Sequence, residues 1–156
     1  MKKDIFIDNN IASRYLSNPT LDEYKKLIEW LMMHQKNEET DAYLVISPFL
    51  LKEYIESNRN ANSKTNIVQI IDLFTKQNRL IRFDKKQIEA FQTKHFTKKV
   101  IKRMQSNAKD RNHIPAVLMS DRKMALSEDI KFLNDLEQVP DFEAVTATKP
   151  EDLNYQ

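Results

Sequence analysis

The sequence predicts an α/β fold in which a parallel sheet is flanked by helices. Two observations carry this reading. Short apolar runs without polar alternation recur along the chain, as strands buried on both faces require. Stretches with helical spacing separate them, giving the order βααβααβα(α)βαβ, the pattern of parallel strands joined by helical crossovers. At 156 residues, 40% hydrophobic and 31% charged, the chain suits one domain, 1–156, with a sizeable core.

The first strand is Ile5-Phe6-Ile7, which ends abruptly in Asp8-Asn9-Asn10 before a helical pattern begins at Ile11 and Ala12. An acid where a buried strand hands over to a helix is either a cap or part of a site, because open α/β sheets bind ligands at that edge. Leu21, Tyr24, Leu27, Ile28 and Leu31 then mark a helix opened by Asn18-Pro19-Thr20, with Thr20 and Glu23 spaced as a capping box. Trp30 on that helix reads as packing. The second strand is Ala42–Ser47, and Pro48 sits well in the first turn of the helix Phe49–Ser57. Glu53 follows Phe49 and Leu50 by four and three residues, so it shares their face, where an acid needs compensation for lost solvation. Ser57–Thr65 reads as a polar loop and Ile67–Lys76 as an apolar-rich helix.

Leu80–Phe83 is a short third strand, and Lys85–Gln105 a long basic helix with a break near His95–Thr97. Asp110 precedes Ile114, Val117 and Leu118 by four, seven and eight residues and lies on the apolar stripe of the helix it begins, although Pro115 falls late for a first turn. A fourth strand, Lys123–Leu126, runs into Ser127-Glu128-Asp129, so Asp129 repeats the placement of Asp8. Phe142–Thr146 is the last strand, and 148–156 forms a polar tail.

Composition excludes several chemistries. Without cysteine there are no disulfides, thiol nucleophiles or cysteine–zinc sites, and a cytoplasmic location fits. Without glycine there is neither a phosphate-binding Gly-rich loop nor a dinucleotide fingerprint, and turns with positive φ fall to other residues, asparagine first. No apolar run approaches a membrane span or a signal peptide. Charge is segregated: residues 76–111 hold twelve Lys or Arg against three acids, a net of +9 in a chain of net +2. Such a segment is either a solvated helix face or the contact for a polyanion.

Asp8 and Asp129 follow strands, Glu53 and Asp110 lie on inward helix edges, and all four can meet at one end of a parallel sheet. Converging carboxylates repel unless cations neutralise them. An all-oxygen set without cysteine points to Mg²⁺ or Mn²⁺ as cofactor, ions that activate water and assist displacement at phosphorus.

These residues resemble the PIN-domain nucleases, a family that includes toxins of bacterial toxin–antitoxin pairs. Ile5–Ile11 is similar to the family's strand ending in Asp-Thr-Asn, with Asn9 in place of Thr. Ile46-Ser47-Pro48 through Glu53, Asp110-x-x-His113-Ile114-x-Ala116, and Leu126-Ser127-Glu128-Asp129-x-x-Phe132 resemble its later acidic motifs. The glycine usual before the fourth strand is missing, Glu128 replaces an Asn, and the chain is somewhat longer than compact toxins. The resemblance implies a three-layer α/β/α sandwich with a central, mostly parallel sheet and a metal-dependent endoribonuclease cutting single-stranded RNA. It implies Asp8, Glu53, Asp110 and Asp129 as catalytic metal ligands, with Asn10 and Ser127 holding them in place. Substrate contacts fall to Lys98, Lys99, Lys102, Arg103 and His113. The partners implied are RNA, an antitoxin protein and a second copy of the chain in a homodimer. The alternatives are a catalytically idle PIN-like module that binds RNA or protein, and a nuclease directed at DNA.

Overall fold

A computed structural model describes residues 1–59 and 62–156. Its strands β1 (Lys3–Ile7), β2 (Ala42–Ile46), β3 (Leu80–Arg82), β4 (Met124–Leu126) and β5 (Val145–Ala147) form one sheet in the order β3-β2-β1-β4-β5. Every pairing is parallel; Ile5 lies opposite Leu44, Phe6 opposite Ala125 and Val45 opposite Ile81. The central strand β1 and its neighbour β2 are buried almost throughout, which is why their sequences show no alternation.

Helices α1 (Asn9–Ile11), its π-helical continuation Ala12–Leu16 and α2 (Asp22–Met32) lead from β1 to β2. Helices α3 (Pro48–Asn58) and α4 (Ile67–Lys76) lead to β3. Then come α5 (Lys85–His95), α6 (Lys98–Arg103), α7 (Ala108–Arg111) and α8 (Ile114–Met119) before β4, and α9 (Ile130–Leu136) before β5. The chain steps from β1 to β3 in one direction and from β3 to β5 in the other. With right-handed crossovers the two halves place their helices on opposite faces, which yields the three α/β/α layers.

Local chemistry explains the boundaries. Ser47 caps α3 by accepting the Leu50 N–H at 3.2 Å, with Pro48 in the first turn. Asp84 and Gln87 form a reciprocal capping box on α5. The basic stretch does break, because Thr97 caps a new helix through the Val100 N–H. Thr20 does not cap α2. Leu21 occupies that position without a side-chain bond, and Asp22 and Glu23 in the first turn supply the favourable charge. Asp110 and the apolar stripe at 114–118 do not share one helix either, since α7 ends at Arg111 and α8 starts afresh with Pro115 in its first turn. That start removes the difficulty of a late proline.

Positive φ falls on Lys36, Asn78, Lys123 and Asp141, so among the described residues only one of the four is an asparagine. The 148–156 stretch is not a free polar tail: Leu153 and Tyr155 are buried, and Tyr155 meets Trp30 with centroids 4.8 Å apart. Arg122 Nη1 donates to the Tyr155 carbonyl at 2.8 Å. The centre of the expected 57–65 loop, residues 60 and 61, lies outside the described residues. Among the described residues no helix is long and apolar enough to cross a membrane.

Candidate active site

Parallel pairing brings the carboxyl ends of all the strands to one edge, and the strand order reverses between β1 and β4. That reversal is where such sheets open a crevice. Asp8 leaves β1 there and Ser127 leaves β4, while α3 springs from the end of β2.

Asp8 is buried and does two jobs. One carboxylate oxygen accepts the Asn9 N–H at 2.8 Å and caps α1, and the other accepts the Ser127 hydroxyl at 2.6 Å. Burial pushes its carboxyl above the ordinary value. The Ser127 bond, the nearby His113 and the Asn9 N–H pull it back, and the charge of Glu53 pushes it further up.

Ser127 is the hub of this corner. Fully buried, its hydroxyl donates to Asp8 and accepts from the Asp129 N–H at 3.0 Å and from Asn10 Nδ2 at 3.3 Å. One donor and two lone pairs are thereby all used. Asn10 accepts the Glu128 N–H at 3.2 Å through its Oδ1 and so bridges the β1 and β4 exits. Asp129 caps α9 by accepting the Phe132 N–H at 3.2 Å.

Glu53, half-buried on α3, meets His113 Nε2. His113 is 2% exposed, with ring centroids 5.7 Å from Phe6 and 6.3 Å from Phe132. Its Nδ1 is buried and has no hydrogen-bond partner among the described residues. His113, expected as a substrate contact, is thus a buried ring packed near Phe6 and Phe132 with its Nε2 turned to Glu53. Asp110 sits on the short α7, its own N–H held by the Asn107 side chain at 2.9 Å. Burial and then the charge of Asp129 push its carboxyl up, Glu53 adds to this, and His113 and Lys109 oppose it.

The four acids thus form one electrostatic group, with Asp8 feeling Glu53 and Asp110 feeling both Asp129 and Glu53. Among the described residues no three His, Asp or Glu side chains already stand close enough to hold a metal ion. Their donor chemistry nevertheless fits a hard divalent cation: all donors are carboxylate oxygens, and the cost of ionising Asp8 and Asp110 is the cost such an ion removes. Binding would require the acids to draw together and Glu53 to share itself between ion and His113.

Lys98, Lys99, Lys102 and Arg103 are all exposed on or at the start of α6, and among the described residues none of them makes an ion pair. The end of α6 is tied down by Asp135, fully buried on α9, which accepts the N–H groups of Gln105 and Ser106 at 2.7 and 2.8 Å and the Ser106 hydroxyl. The helix that Asp129 caps therefore also anchors the basic segment. Asp135 carries the signal that marked Glu53, an acid three residues after an apolar one, Phe132, on the same helix face. Tyr54 is a second supporting residue that no local pattern marks: its buried hydroxyl donates to the Ile7 carbonyl, immediately before Asp8. Glu128 accepts Arg14 Nη1 at 2.8 Å and the Tyr15 hydroxyl.

The five-stranded parallel sheet with helices around it is consistent with a PIN-like fold. The chain is similar to one in the crystal structure of VapBC2 from Rickettsia felis bound to a DNA fragment from their promoter. That likeness has a TM-score of 0.57 and 18% sequence identity, and it covers 94% of this chain and 98% of the other. No model of a known protein family and no curated protein matches the sequence.

Proposed function

We propose that the protein is a Mg²⁺- or Mn²⁺-dependent endoribonuclease acting on single-stranded RNA, and that it serves as the toxin of a toxin–antitoxin pair. The observation that carries the chemistry is the placement of the acids at the carboxyl edge of the sheet, where Ser127 bonds both the Asp8 carboxylate and the Asp129 N–H, with burial and neighbouring acids raising the Asp8 and Asp110 carboxyls. The toxin context and an antitoxin partner are supported by the fold shared with a chain of the VapBC2 complex over nearly the whole length.

In this reading the four acids hold the cation, which when bound supplies an activated water and neutralises charge developing at phosphorus. Ser127 fixes the Asp8 carboxylate and, with Asn10, sets the spacing between Asp8 and Asp129. His113 orients Glu53 from the interior, and Tyr54 holds the carbonyl preceding Asp8. The exposed cations of α6 draw the phosphate backbone, a contribution that weakens as salt rises.

A second reading, an idle PIN-like binding module, is favoured by one observation: Glu53 is engaged by His113 and no three acids stand at ligating distance among the described residues. Metal-dependent melting separates the two. A ligand that binds only the folded state adds about 2.7 kcal/mol of stability at a hundred times its dissociation constant. For a chain of this size that raises the melting temperature by about 5–10 °C. Wild type should show this with Mn²⁺, and Asp8→Asn combined with Asp129→Asn should lose most of it. Equal melting of the two proteins up to millimolar Mn²⁺ would favour the idle module.

A further inference from the structure

Beside Glu53 lies a cavity of about 220 Å³ lined by Phe49, Lys52, Glu53, Glu56 and Lys109. Four of these side chains come from α3 at positions 49, 52, 53 and 56, the i, i+3, i+4, i+7 spacing of a single helix face. The fifth comes from α7, directly before Asp110. The cavity thus includes one candidate metal ligand, Glu53, and the residue preceding another, Asp110.

Phe49 has no evident structural employment. It is half-buried, yet among the described residues it neither belongs to the hydrophobic core nor packs against it, and its ring meets no other aromatic ring. Lys52 and Lys109 are exposed, and among the described residues neither is ion-paired despite Glu53 and Glu56 on the same wall. An aromatic ring flanked by two free cations, opening beside a phosphodiester-cleaving centre, is the combination that holds single-stranded nucleic acid: bases stack on the ring while ammonium groups take the backbone. We propose that this cavity is a nucleotide subsite next to the scissile bond, with a base stacked on Phe49 and its phosphate between Lys52 and Lys109. Glu56, an acceptor only, suits an exocyclic amino group or a ribose hydroxyl better than a second phosphate, which limits the cavity to one nucleotide.

The subsite rests on the nuclease reading, and the experiment keeps the two apart. Binding of a fluorescent single-stranded RNA oligonucleotide is measured by anisotropy in an Asp8→Asn background, which prevents cleavage, and cleavage is measured in the otherwise wild-type chain. Phe49→Ala should weaken binding about five- to tenfold, the low end for removal of a base–aromatic stack, with its salt dependence unchanged. Phe49→Leu, which keeps the apolar volume and protects against misfolding, should weaken binding similarly. Lys52→Ala with Lys109→Ala should instead lower the slope of log affinity against log salt by about 0.7 for each phosphate no longer neutralised. Phe49→Trp should give an indole emission quenched by the oligonucleotide and unaffected by inorganic phosphate, a response that a purely structural role would not produce. If wild type cuts RNA while all four variants bind like their parent and Trp emission at 49 does not respond, the subsite is wrong and the nuclease reading stands. If the Asp8→Asn parent does not bind RNA and the wild-type chain does not cut it, both fall.

Discussion

Replacing Ser127 by alanine tests the hub directly. The change removes the 2.6 Å hydroxyl donor to Asp8 and the acceptor for the Asp129 N–H and Asn10 Nδ2, all inside a fully buried corner. A hydrogen bond to a charged group contributes about 1.5–3 kcal/mol, and a buried donor left without a partner costs about 1–3 kcal/mol. The two do not simply add, because Asp8, already pushed up by burial, escapes part of the penalty by taking a proton. A net destabilisation of about 2–4 kcal/mol follows, or roughly 5–15 °C in melting temperature for a chain this size. Metal affinity should fall with it, since the donor that keeps the Asp8 carboxyl ionised and aimed is gone. The assay is thermal melting with and without Mn²⁺ for wild type, Ser127→Ala, Asp8→Asn and the double variant. A coupling of about 1–2 kcal/mol between the two substitutions is expected, because the amide introduced by Asp8→Asn accepts the hydroxyl less strongly than a carboxylate does. Additive effects, or a Ser127→Ala protein melting within about 1 °C of wild type, would refute the hub.

Three further outcomes are expected. Reversing Lys98, Lys99, Lys102 and Arg103 to Glu should weaken RNA binding and flatten its salt dependence while leaving Mn²⁺ stabilisation intact; an unchanged slope would make α6 a merely solvated face. Asp8→Asn alone should leave the metal-free protein as stable as wild type or more so, since a buried carboxylate held up by burial and by Glu53 loses its charge; a clear drop in metal-free melting temperature would contradict this. Burial penalises the Asp41 carboxylate, but the Gln35 N–H, His34 and the Asn37 N–H outweigh it and hold the carboxyl below 3.8. Its folded value being depressed, its stabilisation is complete above 3.8 and is lost as pH falls through that lower value, so acid melting of Asp41→Ala should be less steep than that of wild type.

The layout of the fold was legible in the sequence because buried parallel strands need unbroken apolar runs and their crossovers need helical stripes, and both patterns are local. Asp8 and Asp129 stood out for the same reason, as acids where such runs stop. What escaped is non-local. Glu53 finds His113 sixty positions away, a pairing that no spacing announces. Tyr54 reaches Ile7 and Asp135 reaches Ser106 across different elements. The capping box expected at Thr20 lost to first-turn acids on a helix whose burial does the stabilising, an ordinary case of tertiary packing outweighing a local signal. Asp110 was assigned to the wrong helix because periodicity ran across the break at 112–113, although the late Pro115 had already marked that break. The docked 148–156 stretch was hidden by its composition, since only Pro150, Leu153 and Tyr155 carry its burial.

Cleavage of a single-stranded RNA in Mn²⁺ tests the proposed function of the acid group most directly. Wild type, Asp8→Asn and Asp110→Asn would be compared, each first shown to be folded by its melting curve. Wild type should generate internal cuts that chelation abolishes, and both variants should be inactive on the same timescale. Cutting by either variant at the wild-type rate, or activity indifferent to chelation, would contradict the assignment.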